Sequence, residues 1–135
     1  MVNKLIYFKV ITILLALLCV TLLAGCKRYE FDFENKNIKK IVLIDEEATD
    51  SEIILSENKI ADLKTDLSDL KFKRYYSDEK VSGSQTIKIT YEDETYDLIT
   101  WTNIRKYDAD GNHLNTYKYK CDADDFADLF DKYFT

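Results

Sequence analysis

In 135 residues the chain carries 19 Lys and Arg against 25 Asp and Glu, for a formal net charge of −6, with one histidine, three cysteines and no proline. That is length for a single domain, and the acidic balance sets nucleic acid aside as a partner, because phosphate backbones reward basic patches. No glycine loop of the phosphate-cradling kind is present, and His113 with Cys121, the one cysteine left free once Cys19 and Cys26 are accounted for, cannot close a structural zinc site.

The chain opens on Met1 to Lys9, which holds two lysines, Lys4 and Lys9, and no acid. Val10 to Leu23 is an apolar run, VITILLALLCVTLL, and the small residues Ala24 and Gly25 follow it. A positive start, a short apolar middle and a small-residue end describe a secretory signal peptide, with the lysines held on the cytoplasmic side. A spanning helix needs about 20 consecutive apolar residues. The run falls short of that, and extending it back to Leu5 would bury Lys9 unless its side chain snorkels out. The pattern therefore favours a removable signal over a permanent membrane helix.

At the junction, Leu23-Ala24-Gly25-Cys26 resembles the lipobox of bacterial lipoprotein precursors. The resemblance covers the signal and Cys26 alone. It implies that the Cys26 thiol takes a diacylglycerol and that the chain is cut between Gly25 and Cys26, leaving Cys26 as the new N-terminus. One acyl chain binds a membrane only marginally, whereas two hold firmly; a diacylglyceryl group would keep the protein at the membrane without spanning it. Abundant Lys, Asp, Ile and Tyr with three glycines suit an AT-rich Gram-positive genome. The expected place is then the outer face of the cell membrane, beneath the wall.

Removal of residues 1–25 takes Lys4 and Lys9 away, leaving 110 residues with 17 basic and 25 acidic side chains, a net charge of −8. A domain of that charge is expected to be repelled by an anionic membrane surface. Cys19 leaves with the signal and Cys26 is acylated, so Cys121 stands alone and no internal disulfide can form. An unpaired cysteine in an exported protein suggests either an intermolecular bridge or, as preferred here, a small buried apolar residue.

Three regions are expected: a signal over 1–25, a lipidated N-terminus and tether over 26–37, and one domain over 38–135. Lys27 to Asn37 is polar with interspersed aromatics and no period, although Phe31 and Phe33 could begin a strand. Ile38 to Ile44 reads as a buried strand, Asp45 to Asp50 as an acidic turn, and Ser51 to Leu55 as a short strand or a lead-in to a helix. Ser56 is a candidate N-cap, and Ile60, Leu63, Leu67 and Leu70 line one face of a helix over 57–70. Two heptads are too few for a coiled coil, so this helix should pack on its own sheet.

From Phe72 the period becomes two. Strands are expected over Phe72–Tyr76, Gln85–Tyr91, Thr95–Trp101, Ile104–Tyr107 and Leu114–Cys121, with a loop over 78–84, a tight turn at Glu92-Asp93-Glu94 and a hairpin at Asp110-Gly111. Asp122 or Asp124 can cap a last helix whose stripe is Phe126, Leu129, Phe130 and Tyr133. The order gives an α+β fold, an antiparallel sheet of about five strands with two helices on one face.

No catalytic or metal-binding constellation emerges, so no enzymatic activity and no cofactor is expected. His113 falls at a turn, without the orienting third group that a nucleophilic device requires. Asp108, Asp110 and Asn112 begin like a calcium loop, but Gly111 falls at the fourth position and Tyr119 at the twelfth, so the pattern fails. The acids at Asp45-Glu46-Glu47 and over Asp122–Asp125 suit a turn and a helix N-terminus. The aromatic residues remain. Helices cover one face of the sheet, so rings on the other face or the edges could form a recognition surface, and Trp101, Tyr96, Tyr117 and Tyr119 are its candidates. The expected role is a membrane-anchored module that binds an envelope protein. A glycan- or small-ligand-binding module is the alternative, and a small hydrolase comes third.

Overall fold

The computed structural model describes residues 2–24, 28–48, 51–77 and 83–134. The expected lipidation and cleavage positions Cys26 and Gly25, the first residue of the expected tether Lys27, the end of the expected acidic turn at Thr49-Asp50 and most of the expected 78–84 loop lie outside them. Helix α1 (Val2–Ala24) covers the apolar run; Phe8, Leu14 and Leu17 on it are exposed. Among the described residues no helix is long and apolar enough to cross a membrane.

The rest is α+β. Strands β1 (Ile38–Asp45), β2 (Glu52–Ile54), β4 (Gln85–Tyr91), β5 (Tyr96–Ile99), β6 (Ile104–Tyr107) and β7 (His113–Tyr117) form an antiparallel sheet in the order β2-β1-β4-β5-β6-β7. The short strands β3 (Lys73–Arg74) and β8 (Tyr119–Lys120) pair separately. The sheet has six strands, against about five expected, because Glu52–Ile54 joins β1 as an edge strand through Val42↔Ile54. The expected strand over 114–121 breaks in two. At Lys118 the chain changes partner, its carbonyl accepting from the Tyr75 N–H, and β8 turns away to β3. Phe72 is not part of a strand: it is fully buried, and its carbonyl accepts from the Tyr29 N–H.

Register decides which side chains meet. Ile41 stands opposite Ile89, Leu43 opposite Ile87, Ile87 opposite Ile99 and Ile99 opposite Ile104. These residues form one face of the sheet, because side chains alternate along each strand. Helix α2 (Glu57–Asp69) adds Leu63 and Leu67 to that core, and α3 (Ala123–Tyr133) adds Phe126, Leu129, Phe130 and Tyr133. The spacing of both sets along the sequence is what places each on a single helix face. Asp66 of α2 ties the helices together, accepting from Lys132 at 2.8 Å and from the Tyr133 hydroxyl at 2.5 Å.

Residues 28–37 do not behave as a free tether. They form no strand beyond an isolated bridge between Arg28 and Lys73. Phe33 is nonetheless buried in the core, and Tyr29 and Phe31 pack against it. Phe31 stacks on Phe33 at 5.2 Å and meets Phe72 edge-on at 5.6 Å, while Tyr29 lies 5.4 Å from Tyr119 and 5.6 Å from Tyr117. The alternation of Tyr29, Phe31 and Phe33 with charged residues is thus that of an extended arm lying on the domain. The sheet covers one side of the core, and the two helices and this arm cover the other.

Candidate functional site

The four nominated aromatics do not share a surface. Trp101, Tyr117 and Tyr119 pack against the core on the helix side. The Trp101 indole lies so close to Gly83 that a Cβ there would stand 2.9 Å from its Cδ1 and Nε1. Only Tyr96 points the other way. Tyr96↔Tyr107 and Leu98↔Arg105 are cross-strand pairs on the face opposite Ile99 and Ile104, and neither Tyr96 nor Tyr107 belongs to the core cluster.

That second face is built by the alternate residues of the central strands: Lys40 and Val42 of β1, Lys88 and Thr90 of β4, Tyr96 and Leu98 of β5, and Arg105 and Tyr107 of β6. Tyr96 and Tyr107 stack with centroids 4.9 Å apart and planes within 8°. The Lys88 ammonium sits 4.4 Å above the Tyr96 ring, and Arg105 Nη1 donates to the Tyr107 hydroxyl at 3.4 Å. His113 meets the edge of Tyr107 at 5.5 Å. Two polar atoms are buried here without a partner among the described residues, Thr90 Oγ1 and Arg105 Nε. None of the eight strand residues on this face is acidic, although acids outnumber bases in the chain. Chemically the face offers a flat aromatic centre, cations at 40, 88 and 105, and unused hydrogen-bonding capacity.

A second polar group lies on the core side. Asp97 is only 4% exposed and accepts from the Tyr91 hydroxyl at 2.7 Å. Lys106 Nζ approaches its two oxygens at 3.4 and 3.5 Å and also reaches the Tyr29 hydroxyl. Burial, reinforced by the Asp97 charge and hydrogen bond, pushes the Tyr91 phenol far above its usual range. Burial works against the Lys106 charge, but Asp97 and Tyr29 beside it outweigh that and hold the ammonium above the usual lysine range. The cluster joins the arm to β4, β5 and β6, and its carboxylate is enclosed, so it braces the fold. The signal was available in the sequence: Asp97 shares strand parity with Ile99, Tyr91 with Ile89, and Lys106 with Ile104.

The remaining candidates have local roles. His113 Nε2 is 2.7 Å from Thr116 Oγ1 at the exposed end of β7. Asp108 accepts from the Asp110 and Asn112 N–H groups at 3.0 and 2.8 Å, closing the turn in which Gly111 takes φ +85°; its oxygens are engaged by the turn itself. Cys121 is buried, and burial pushes its thiol up to about 12, so it is no nucleophile at neutral pH. Among the described residues no cluster of His, Cys, Asp and Glu has the grouping of a metal site.

Compared with known proteins, the chain matches no family model, no curated protein and no solved structure.

Proposed function

We propose that the chain is the precursor of a lipid-anchored extracytoplasmic protein that works by binding, through the open sheet face of β1, β4, β5 and β6, a partner protein of the envelope. The anchor reading rests on Leu23-Ala24-Gly25-Cys26 placed directly after a lysine-bearing start and an apolar run. The binding reading is carried by the open face itself. A stacked tyrosine pair flanked by Lys88 and Arg105 sets rigid aromatic area beside two cations on one sheet face. A partner presenting acidic and apolar groups would complement both the cations and the rings. Rigid tyrosines with a central arginine are also the residue types that dominate interface energies.

The test is a photoreactive residue in place of Leu98 in the full-length protein, activated in growing cells, with one at exposed Ser68 on α2 as control. One protein captured from position 98 alone, and lost when Arg105→Ala is added, is the expected result. The same pattern from both positions would refute the face. Adducts of carbohydrate instead of protein would move the reading to the glycan-binding alternative. The anchor is checked separately by mass spectrometry of the N-terminal peptide, expected to begin at Cys26 with a diacylglyceryl group.

A further inference from the structure

A second basic surface lies at the opposite end of the chain's logic, beside the anchor. The bridge Arg28↔Lys73 and the β3–β8 pair Lys73↔Lys120 set three cations side by side across three adjacent segments. Directly opposed residues project to the same side of a sheet. Tyr29 and Tyr119, next in sequence to Arg28 and Lys120, turn inward to pack on the core, so the three cations turn outward, and all three are exposed. Lys118 has the same parity as Lys120 and is exposed as well. The Lys120 ammonium lies 5.4 Å from the Tyr75 ring centroid.

This arrangement does not serve the stability of the fold, because like charges directly opposite one another across strands are destabilising. Asp69, Asp122 and Asp125 share a groove with Lys73 and Lys120, and Asp122 is committed to capping the Asp124 and Asp125 N–H groups. Among the described residues no ion pair joins these acids to Arg28, Lys73 or Lys120. A row of three exposed cations without an ion pair of its own suits an anionic neighbour from outside.

Its position identifies that neighbour. Arg28 is two residues after Cys26, so at most about 7 Å of extended chain separates it from the acylated residue. That is within one Debye length, about 8 Å at physiological salt. Taking the anchor reading of the previous section as given, we infer that the row Arg28–Lys73–Lys120 docks the domain onto anionic phospholipid headgroups of the membrane that holds the lipid. The expectation that so acidic a domain is repelled from the membrane holds for its total charge and fails for its distribution. The row faces the lipid, and the open face of the sheet is left for the partner.

The experiment uses the full lipidated protein, purified and inserted into vesicles of phosphatidylcholine alone or with phosphatidylglycerol. Flotation with phosphatidylcholine vesicles tests the lipid. Pulse acetylation of lysines, read by mass spectrometry, then tests the row. Each cation at an anionic surface strengthens its attachment by about fivefold. Acetylation of Lys73 and Lys120 should therefore slow by about fivefold or more in phosphatidylglycerol vesicles, recover in high salt, and leave Lys88 unchanged. Equal rates at Lys73 and Lys120 in both vesicles, from a protein that floats, would overturn the inference and leave the anchor standing. A protein that floats with neither vesicle would remove the anchor and the inference together. A Lys73→Gln/Lys120→Gln protein that floats as wild type but loses the protection of Lys118 would confirm that the row, and not the lipid, orients the domain.

Discussion

Tyr91 illustrates how much one hydroxyl does. It donates to a carboxylate that is 4% exposed, and without it Asp97 would rely on a long contact to Lys106. A hydrogen bond to a buried charge is worth about 1.5–3 kcal/mol, so Tyr91→Phe should lower the unfolding free energy by about that much in urea titrations at neutral pH. The pH dependence has a definite sign. Burial first, and Asp97 after it, raise the phenol above the ordinary value of 10.0 in the folded state. The stability this represents is fully present below pH 10 and is lost as pH rises beyond it, because the unfolded chain can release a proton that the folded one retains. Tyr29 and Tyr133 shift the same way, each chiefly through burial. Unfolding at increasing alkalinity should therefore be shallower for Tyr91→Phe than for the parent, and parallel curves would show that Tyr91 ionises freely.

The helix starts differ in a way that composition alone does not reveal. Ser56 occupies the N-cap position of α2, but its hydroxyl donates to the Asn58 side chain at 2.7 Å and makes no cap to the backbone. Asp122 caps α3 directly, one carboxylate oxygen accepting from the Asp124 and Asp125 N–H groups at 3.0 and 3.1 Å. Loss of a working cap costs about 1 kcal/mol. Asp122→Ala should show that loss in thermal or urea unfolding, and Ser56→Ala should show less than half of it. Equal effects would mean that Ser56 caps in solution. Much of the element order was legible in the residues. Alternation marked Gln85–Tyr91 and Ile104–Tyr107 to their ends, and the leucine spacing marked α2 to within a residue. Local pattern failed where pairing with a distant segment decides the outcome. Nothing near Lys118 announces that the chain leaves β6 for β3, and nothing near Tyr117 or Tyr119 announces that an arm carrying Tyr29 covers them. The four candidate aromatics divide for the same reason. Parity within each strand is readable, but which parity faces the helices is set by the arm and by Phe72, so Trp101, Tyr117 and Tyr119 pack against the core while Tyr96 lies on the other face beside Tyr107.

At the scale of the molecule, the arm makes residues 28–37 part of the domain's stability. Phe33 is 7% exposed, and truncating a buried phenylalanine typically costs about 3–5 kcal/mol. Phe33→Ala should lower the midpoint of urea unfolding accordingly, whereas in a free tether it would change nothing. The described surface carries two contrasting regions, the cationic row Arg28–Lys73–Lys120 and the aromatic sheet face with Tyr96 and Tyr107. If the chain is exported as proposed, the arm also constrains the order of events. Under the lipoprotein reading, the enzymes that acylate Cys26 and cut before it work on a bond only a few residues from Tyr29, whose N–H is held by the Phe72 carbonyl. Once that contact closes, little slack is left for the chain to enter a membrane-embedded active site. Processing is then a race against docking, and residues 28–33 are the last piece of the domain that can safely fold.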